Sequence, residues 1–234
     1  MKRLLQMASV LLVSLTVMPT AHAQAGAIDM TGMGIYAGEE AVMDAARETS
    51  STPARSKAKQ AVGSFGYTPT TALRQQTVRN AAQGLQTQRP ADAKVLERAF
   101  GPGKADYNQV YEGIIKGSSL RNNDAADALA AYILMNWMVV NNVQDGNAIT
   151  VPVARGVRAQ VAPLLAPKLT ASGTAAQTGE GFKLQTAVLF AGWQAAIKGG
   201  QLPGFRQDVA TNFKTQYHFD LAQFKLTGQG LVKR

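Results

Sequence analysis

The chain has no cysteine. That excludes a disulfide framework, thiol catalysis, cysteine-ligated zinc and attachment of a lipid at a cysteine. Histidine is almost as scarce, with only His22 and His218. A Ser-His-Asp triad in the body of the chain would have to use His218, with Asp220 two residues on, and no Gly-x-Ser-x-Gly motif supplies the nucleophile. One histidine among carboxylates is also a poor zinc set. No Gly-x-Gly-x-x-Gly or phosphate-loop pattern stands between a strand and a helix. Residues 29–40 place Asp29, a glycine and Glu40 at positions 1, 6 and 12 of a calcium loop. However, Thr31 and Met33 occupy positions 3 and 5, so that match is rejected. We therefore assign no catalytic, cofactor-binding or metal-ligating residue from sequence, and expect no cofactor.

What is present begins with an export signal. Lys2 and Arg3 form a positive start, residues 4–18 are mainly Leu, Val and Met, Pro19 breaks the helix, and Ala21-His22-Ala23 offers a small-x-small cleavage site. The apolar run is about 15 residues, short of the roughly 20 that span a bilayer. We expect residues 1–23 to be a cleaved signal peptide and the mature chain to start at Gln24. It would then be periplasmic or secreted, with no transmembrane helix after cleavage. The 211 residues left must fold on an apolar core alone, and a domain of 150 or more buries roughly 70% of its unfolded surface.

Acidic residues are the minority, giving a net charge of +9 that falls to +7 without Lys2 and Arg3. The charge is segregated: residues 24–50 carry −4, whereas the chain from Ser64 onward carries +8. Residues 24–63, rich in Gly, Ala, Ser and Thr, read as a flexible arm with one short amphipathic helix over 39–48. The opposite signs suggest that the arm folds back on the basic part. A basic domain is attracted to polyanions such as anionic lipid or cell-wall polymers. Because no basic run is interleaved with aromatics, the scattered charges are better read as solubilising. The partner class expected is an envelope protein or a polyanion; the oligomeric state is open.

Residues 64–234 read as one all-α domain of about seven helices. Thr68 with Pro69 is an N-cap and first helical residue for a helix reaching about Gln88, with a stripe of Val78, Ala81, Ala82 and Leu85. Pro90 opens a second helix with Val95, Leu96, Ala99 and Phe100 inward. Asp106 caps a third, whose face is Tyr107, Val110, Tyr111, Ile114 and Ile115, ended by Gly117. The fourth, over about 123–141, is apolar nearly all round, which places it at the centre. Val153, Val157, Val161 and Leu164 make a fifth that Pro163 should kink or end. A sixth spans 182–198, closed by Gly199-Gly200. Pro203 opens a seventh with Phe205, Val209, Phe213 and Tyr217. Residues 218–234 alternate locally, and we expect an extended segment packed on the helices without a sheet.

The run Arg121-Asn-Asn-Asp-Ala-Ala-Asp-Ala-Leu-Ala-Ala-Tyr-Ile-Leu-Met-Asn-Trp137 resembles a family of exported bacterial proteins classed as a domain of unknown function. Tyr67-Thr-Pro69, Val157-Arg-Ala-Gln160 and Leu226-Thr-Gly-Gln-Gly230 fit the same family. The likeness covers Tyr67 to the C-terminus and leaves the arm outside. It implies an exported helical domain and brings no activity, cofactor or catalytic residue.

The residues of chemical interest gather at the start of the fourth helix. Asn123 and Asp124 open it, Asp127 lies in its first turn, and Glu112 is on the helix before. Acids there serve first to cap free N–H groups and to complement the helix dipole. Two carboxylates roughly 5–10 Å apart could instead hydrolyse a glycosidic bond. Were Asp127 buried, Arg155 and Arg158 on the fifth helix are the partners to expect. Trp137 and Trp193 lie in apolar helices and read as core, and His218 as a helix C-terminal residue facing the dipole. The leading expectation is a non-enzymatic binding or structural module of the envelope. The alternative is a cell-wall-directed hydrolase using carboxylates near the fourth helix start.

Overall fold

The computed structural model describes residues 65–169 and 174–234. The expected signal peptide (1–23), the arm (24–63) and its short helix lie outside the described residues. Within the described residues seven helices follow in order: α1 (Thr71–Gln86), α2 (Pro90–Phe100), α3 (Tyr107–Ile115), α4 (Ala125–Val140), α5 (Val151–Leu165), α6 (Thr174–Lys198) and α7 (Leu202–Tyr217). A two-stranded antiparallel hairpin, β1 (Phe224–Thr227) and β2 (Gly230–Lys233), closes the chain. Among the described residues no helix is long and apolar enough to cross a membrane.

All sixteen residues of α4 are buried, as its nearly continuous apolar sequence requires. Around it α5, α6 and α7 contribute Val153, Val157, Val161, Phe182, Trp193, Phe205, Val209 and Phe213 to the main core. A second, smaller core joins α1 and α2 to one side of α6 through Val78, Leu85, Leu96, Phe100, Leu184 and Val188. At about 25 cal/mol per Å2 of apolar surface, burial of each such side chain contributes roughly 1.5–3 kcal/mol.

Local signals set most boundaries. Asp106 caps α3 through Asn108 N–H at 2.9 Å, and Pro90 occupies the first turn of α2. Helix α1 starts two residues later than expected. Tyr67 N–H is bonded to Asn123 O at 3.0 Å, which holds the chain extended before Thr68, and Thr70 rather than Thr68 accepts from Leu73 N–H. In α2 the inward face is Ala93, Leu96 and Phe100, with Val95 and Ala99 only half-buried. Pro163 sits inside α5 near its end. The helix passes it by two residues because an exposed proline in the last turn removes little, and Leu165 rather than Leu164 completes the stripe. Helix α6 begins at Thr174, well before residue 182, and this shift brings charged residues into the interior.

The tail corrects our expectation of no sheet. Phe224 pairs with Lys233 and Leu226 with Leu231 around a two-residue turn at Gly228-Gln229. Gln160 on α5 fastens the hairpin, donating to Leu231 O at 3.0 Å and accepting from Leu231 N–H at 2.8 Å. The strand backbone comes so near α5 that a Cβ on Gly156 would lie 2.6 Å from Gly228 O. Trp137 of α4 adds an indole N–H bond to Phe224 O at 2.9 Å. An isolated hairpin is marginal in water; here two helices hold it.

Candidate functional site

Two buried charge clusters flank the inner face of α3. The first is at the N-terminus of α4. Asp124 is the N-cap, its Oδ1 accepting from Ala126 N–H at 3.1 Å and Asp127 N–H at 3.0 Å. Its Oδ2 meets Arg121 Nη2 at 2.5 Å. Asp127 Oδ2 accepts from Arg121 N–H at 2.9 Å and Arg121 Nε at 2.7 Å, while Arg158 Nε pairs with Asp127 Oδ1. The Asp124 and Asp127 side chains are only 2% and 1% exposed. Two carboxylates at a helix N-terminus, answered by two guanidiniums, form a charge-balanced cap. The bonded Asp127 carboxylate raises the pKa of Arg121, with burial opposing and Asp124 assisting.

Of the expected residues, Asp124, Asp127 and Arg158 are brought together. Arg155 is exposed, and among the described residues no ion pair joins it to either aspartate. One turn from Arg158 on the same polar side of α5, it stays in solvent. Arg121, just before the helix, takes the place expected for it. Glu112 is exposed on α3 and accepts from Asn108 Nδ2 at 2.9 Å and Asn122 Nδ2 at 2.5 Å. It ties α3 to the loop that leads into α4 and stays outside the Asp124–Asp127 cap. Asn123 contributes its backbone, accepting from Tyr67 N–H. Trp137 is core with one polar bond to the hairpin. His218 is the exposed C-cap of α7 in the left-handed conformation (φ 49°, ψ 28°).

The second cluster was missed from sequence. Glu180 and Lys183, one turn apart on α6, are both 0% exposed and paired at 2.7 Å. Tyr67 Oη donates to Glu180 Oε1 at 2.8 Å and Tyr107 Oη to Glu180 Oε2 at 2.6 Å. The carboxylate therefore takes three donors, two of them neutral phenols. Lys183 Nζ lies 5.9 Å from the Tyr67 ring centroid and 5.6 Å from that of Tyr111, so the ammonium is faced by aromatic rings as well as its carboxylate. Burial lowers the pKa of Lys183, with Glu180 opposing. Burial, reinforced by the Glu180 charge, pushes the ionisation of Tyr67 and Tyr107 far above the phenol range. Tyr111 is raised by burial, then by Asp127, Asp124 and Glu180, and its hydroxyl has no hydrogen-bond partner among the described residues.

Glycine makes the second cluster possible. A Cβ at Gly179 would stand 2.7 Å from Tyr67 Oη, so only a residue without a side chain lets that phenol reach Glu180. A sequence signal existed: an acid and a base three apart in Thr178-Gly-Glu-Gly-Phe-Lys183, immediately before a long apolar run. The sixth helix expected over 182–198 takes in Lys183 and leaves Glu180 outside.

In both clusters the acids and bases neutralise one another inside the fold. Among the described residues no group of three or more His, Asp or Glu side chains is placed to hold a metal ion.

Fold and clusters together define an α-helical domain with a buried polar seam and a C-terminal hairpin. The chain belongs to the family of unknown function DUF6683, which it matches over residues 7–179. The match takes in the chain before Tyr67, which our resemblance left outside, and ends within α6 before the hairpin, which it included. Both the Asp124–Asp127 cap and the three tyrosines fall within it, whereas Glu180 lies one residue beyond. Neither curated proteins nor solved structures gave a match.

Proposed function

We propose that this chain is an exported, non-enzymatic module that binds a partner or serves a structural role in the bacterial envelope. The supporting observation is the commitment of Asp124 and Asp127. A glycosidase needs one carboxyl free to protonate a leaving group and a second facing water or the sugar. These two are instead turned back onto helix N–H groups and onto Arg121 and Arg158. Export is supported by the charged, apolar and small-x-small sequence of residues 1–23.

Two measurements test the proposal. Expression in a bacterial host followed by fractionation and intact mass should place a chain beginning at Gln24 in the periplasmic or external fraction. Full-length chain in the cytoplasm would overturn export. Incubation with purified cell walls should release no soluble fragments. Release that disappears in Asp124→Asn or Asp127→Asn, with folding retained, would establish the hydrolase instead.

A further inference from the structure

Residues 65–67 cross the start of α4 as a short extended strap. Gly66 forms an antiparallel bridge with Asp124. Ala125 N–H, the first amide of α4, donates to Phe65 O at 2.9 Å, and Tyr67 N–H donates to Asn123 O at 3.0 Å. The strap thus satisfies an N–H that a helix start leaves open. Phe65 is buried at 3% exposure, with the Arg158 guanidinium 5.8 Å from its ring centroid. Tyr67 reaches the other way, to Glu180. One three-residue segment therefore touches both charge clusters: the aspartate cap through its backbone and Phe65, the Glu180–Lys183 pair through its phenol.

We propose that residues 65–67 act as a latch: seated, they seal the Glu180–Lys183 pair, and their release opens that pair together with the first turn of α4, before the rest of the domain unfolds. Three features support this order. The strap's bonds are few, whereas α4, α5 and α7 share the main core. Lifting Tyr67 removes one of the three donors on a buried carboxylate, so the seated and released states differ in the solvation of a charge pair. The Gly179 cradle fits the tyrosine ring and leaves no room for both a Cβ and that ring. A partner that holds the chain before Phe65 would then act on the interior of the domain, independently of the envelope reading.

The test uses the full chain and two variants. Tyr67→Phe keeps the ring and removes the phenol bond; Gly179→Ala keeps the bonding groups and displaces the ring. Lys183 is wholly buried, so its modification by a small amine-reactive reagent, read by mass spectrometry against the exposed lysines, reports opening. Amide exchange at Tyr67, at Ala125 and along α7 is read in parallel. In both variants Lys183 modification and exchange at Tyr67 and Ala125 should rise together, by about 10- to 100-fold, the factor that loss of a bond to a charged group carries. Exchange along α7, reached only through global unfolding, should rise by no more than the same factor and stay slower than at Tyr67 and Ala125 in the wild-type chain and in both variants. Faster exchange at Tyr67 and Ala125 with Lys183 still protected would overturn the latch. So would exchange at Tyr67 and Ala125 as slow as along α7 in the wild-type chain, since the domain would then be opening only as a whole.

Discussion

The three raised phenols make alkaline stability a direct readout of the polar seam. Tyr67, Tyr107 and Tyr111 all hold their protons in the folded chain well above the ordinary value of 10.0. In the unfolded chain they ionise near 10. Above that pH the folded state binds more protons than the unfolded state, so stability falls as pH rises. A group ionising at about 10 only when unfolded favours the unfolded state by about 1.4 kcal/mol at pH 11, or about 4 kcal/mol for three. Lys183 has the opposite sign. Its lowered pKa means that the folded chain gives up a proton first, so stability is gained as pH rises toward 10.5.

Single phenylalanine substitutions separate these terms. At neutral pH, Tyr67→Phe or Tyr107→Phe removes a bond to the Glu180 carboxylate and should cost about 1.5–3 kcal/mol. Tyr111→Phe removes a hydroxyl that has no partner among the described residues and should cost nothing or stabilise. At about pH 11 each variant should improve relative to wild type by a further 1.4 kcal/mol or so, because the ionisable group is gone from the unfolded chain. Urea unfolding at about pH 8 and about pH 11 measures this, followed by the fluorescence of Trp137 and Trp193, both buried. Tyrosinate absorbance should appear with unfolding. If the Tyr67→Phe and Tyr107→Phe differences are the same at both pH values, or the tyrosinate absorbance that these variants lose forms in wild type before unfolding, the phenols are not protected as described and the reasoning fails.

Three further outcomes follow from packing and charge. Glu180→Gln or Lys183→Met alone should destabilise by about 3–5 kcal/mol, because each strands a buried partner, whereas Glu180→Leu with Lys183→Met, combined with Tyr67→Phe and Tyr107→Phe so that no phenol loses its acceptor, should come close to wild type; denaturant midpoints decide between pairing and mere volume. Gly156→Ala should cost about 1–3 kcal/mol by forcing the hairpin off α5, with faster amide exchange at Leu231. Gly113→Ala on α3, where a Cβ meets nothing within 4 Å, should instead stabilise by about 0.5–1 kcal/mol.

The legible parts of this fold are those in which one stretch of sequence is enough to settle its own place. Helix α4 is apolar on every side, and a helix of that kind has nowhere to go but the centre. Asp106 and Asp124 read as caps because a short acceptor side chain before an apolar run has one local use. The spacing of Phe205, Val209, Phe213 and Tyr217 gave the buried stripe of α7. The hairpin was illegible for the converse reason. Its strands have four residues each, too few for alternation to be told from chance, and its stability resides in Gln160 and Trp137 on distant helices.

The same division explains the two charge clusters. Asp124, Asp127 and Arg158 were findable because the aspartates belong to a helix start, and a buried first-turn acid calls for a cation on the neighbouring helix. Arg121 was overlooked because it lies in the loop just before that start, where no periodicity assigns it a face. Glu180 and Lys183 could be read as an i,i+3 pair, but nothing local distinguishes a buried pair from a solvated one. What distinguishes them is Tyr67, 113 residues away, Tyr107, 73 residues away, and a glycine whose missing Cβ admits a ring from elsewhere in the chain. Burial of charge is settled by tertiary partners, and a pair of residues in one helix carries no trace of which partners will come. A glycine beside a charged residue at the head of an apolar helix is thus worth reading two ways: as the end of a loop, and as room left for a side chain that the sequence places far away.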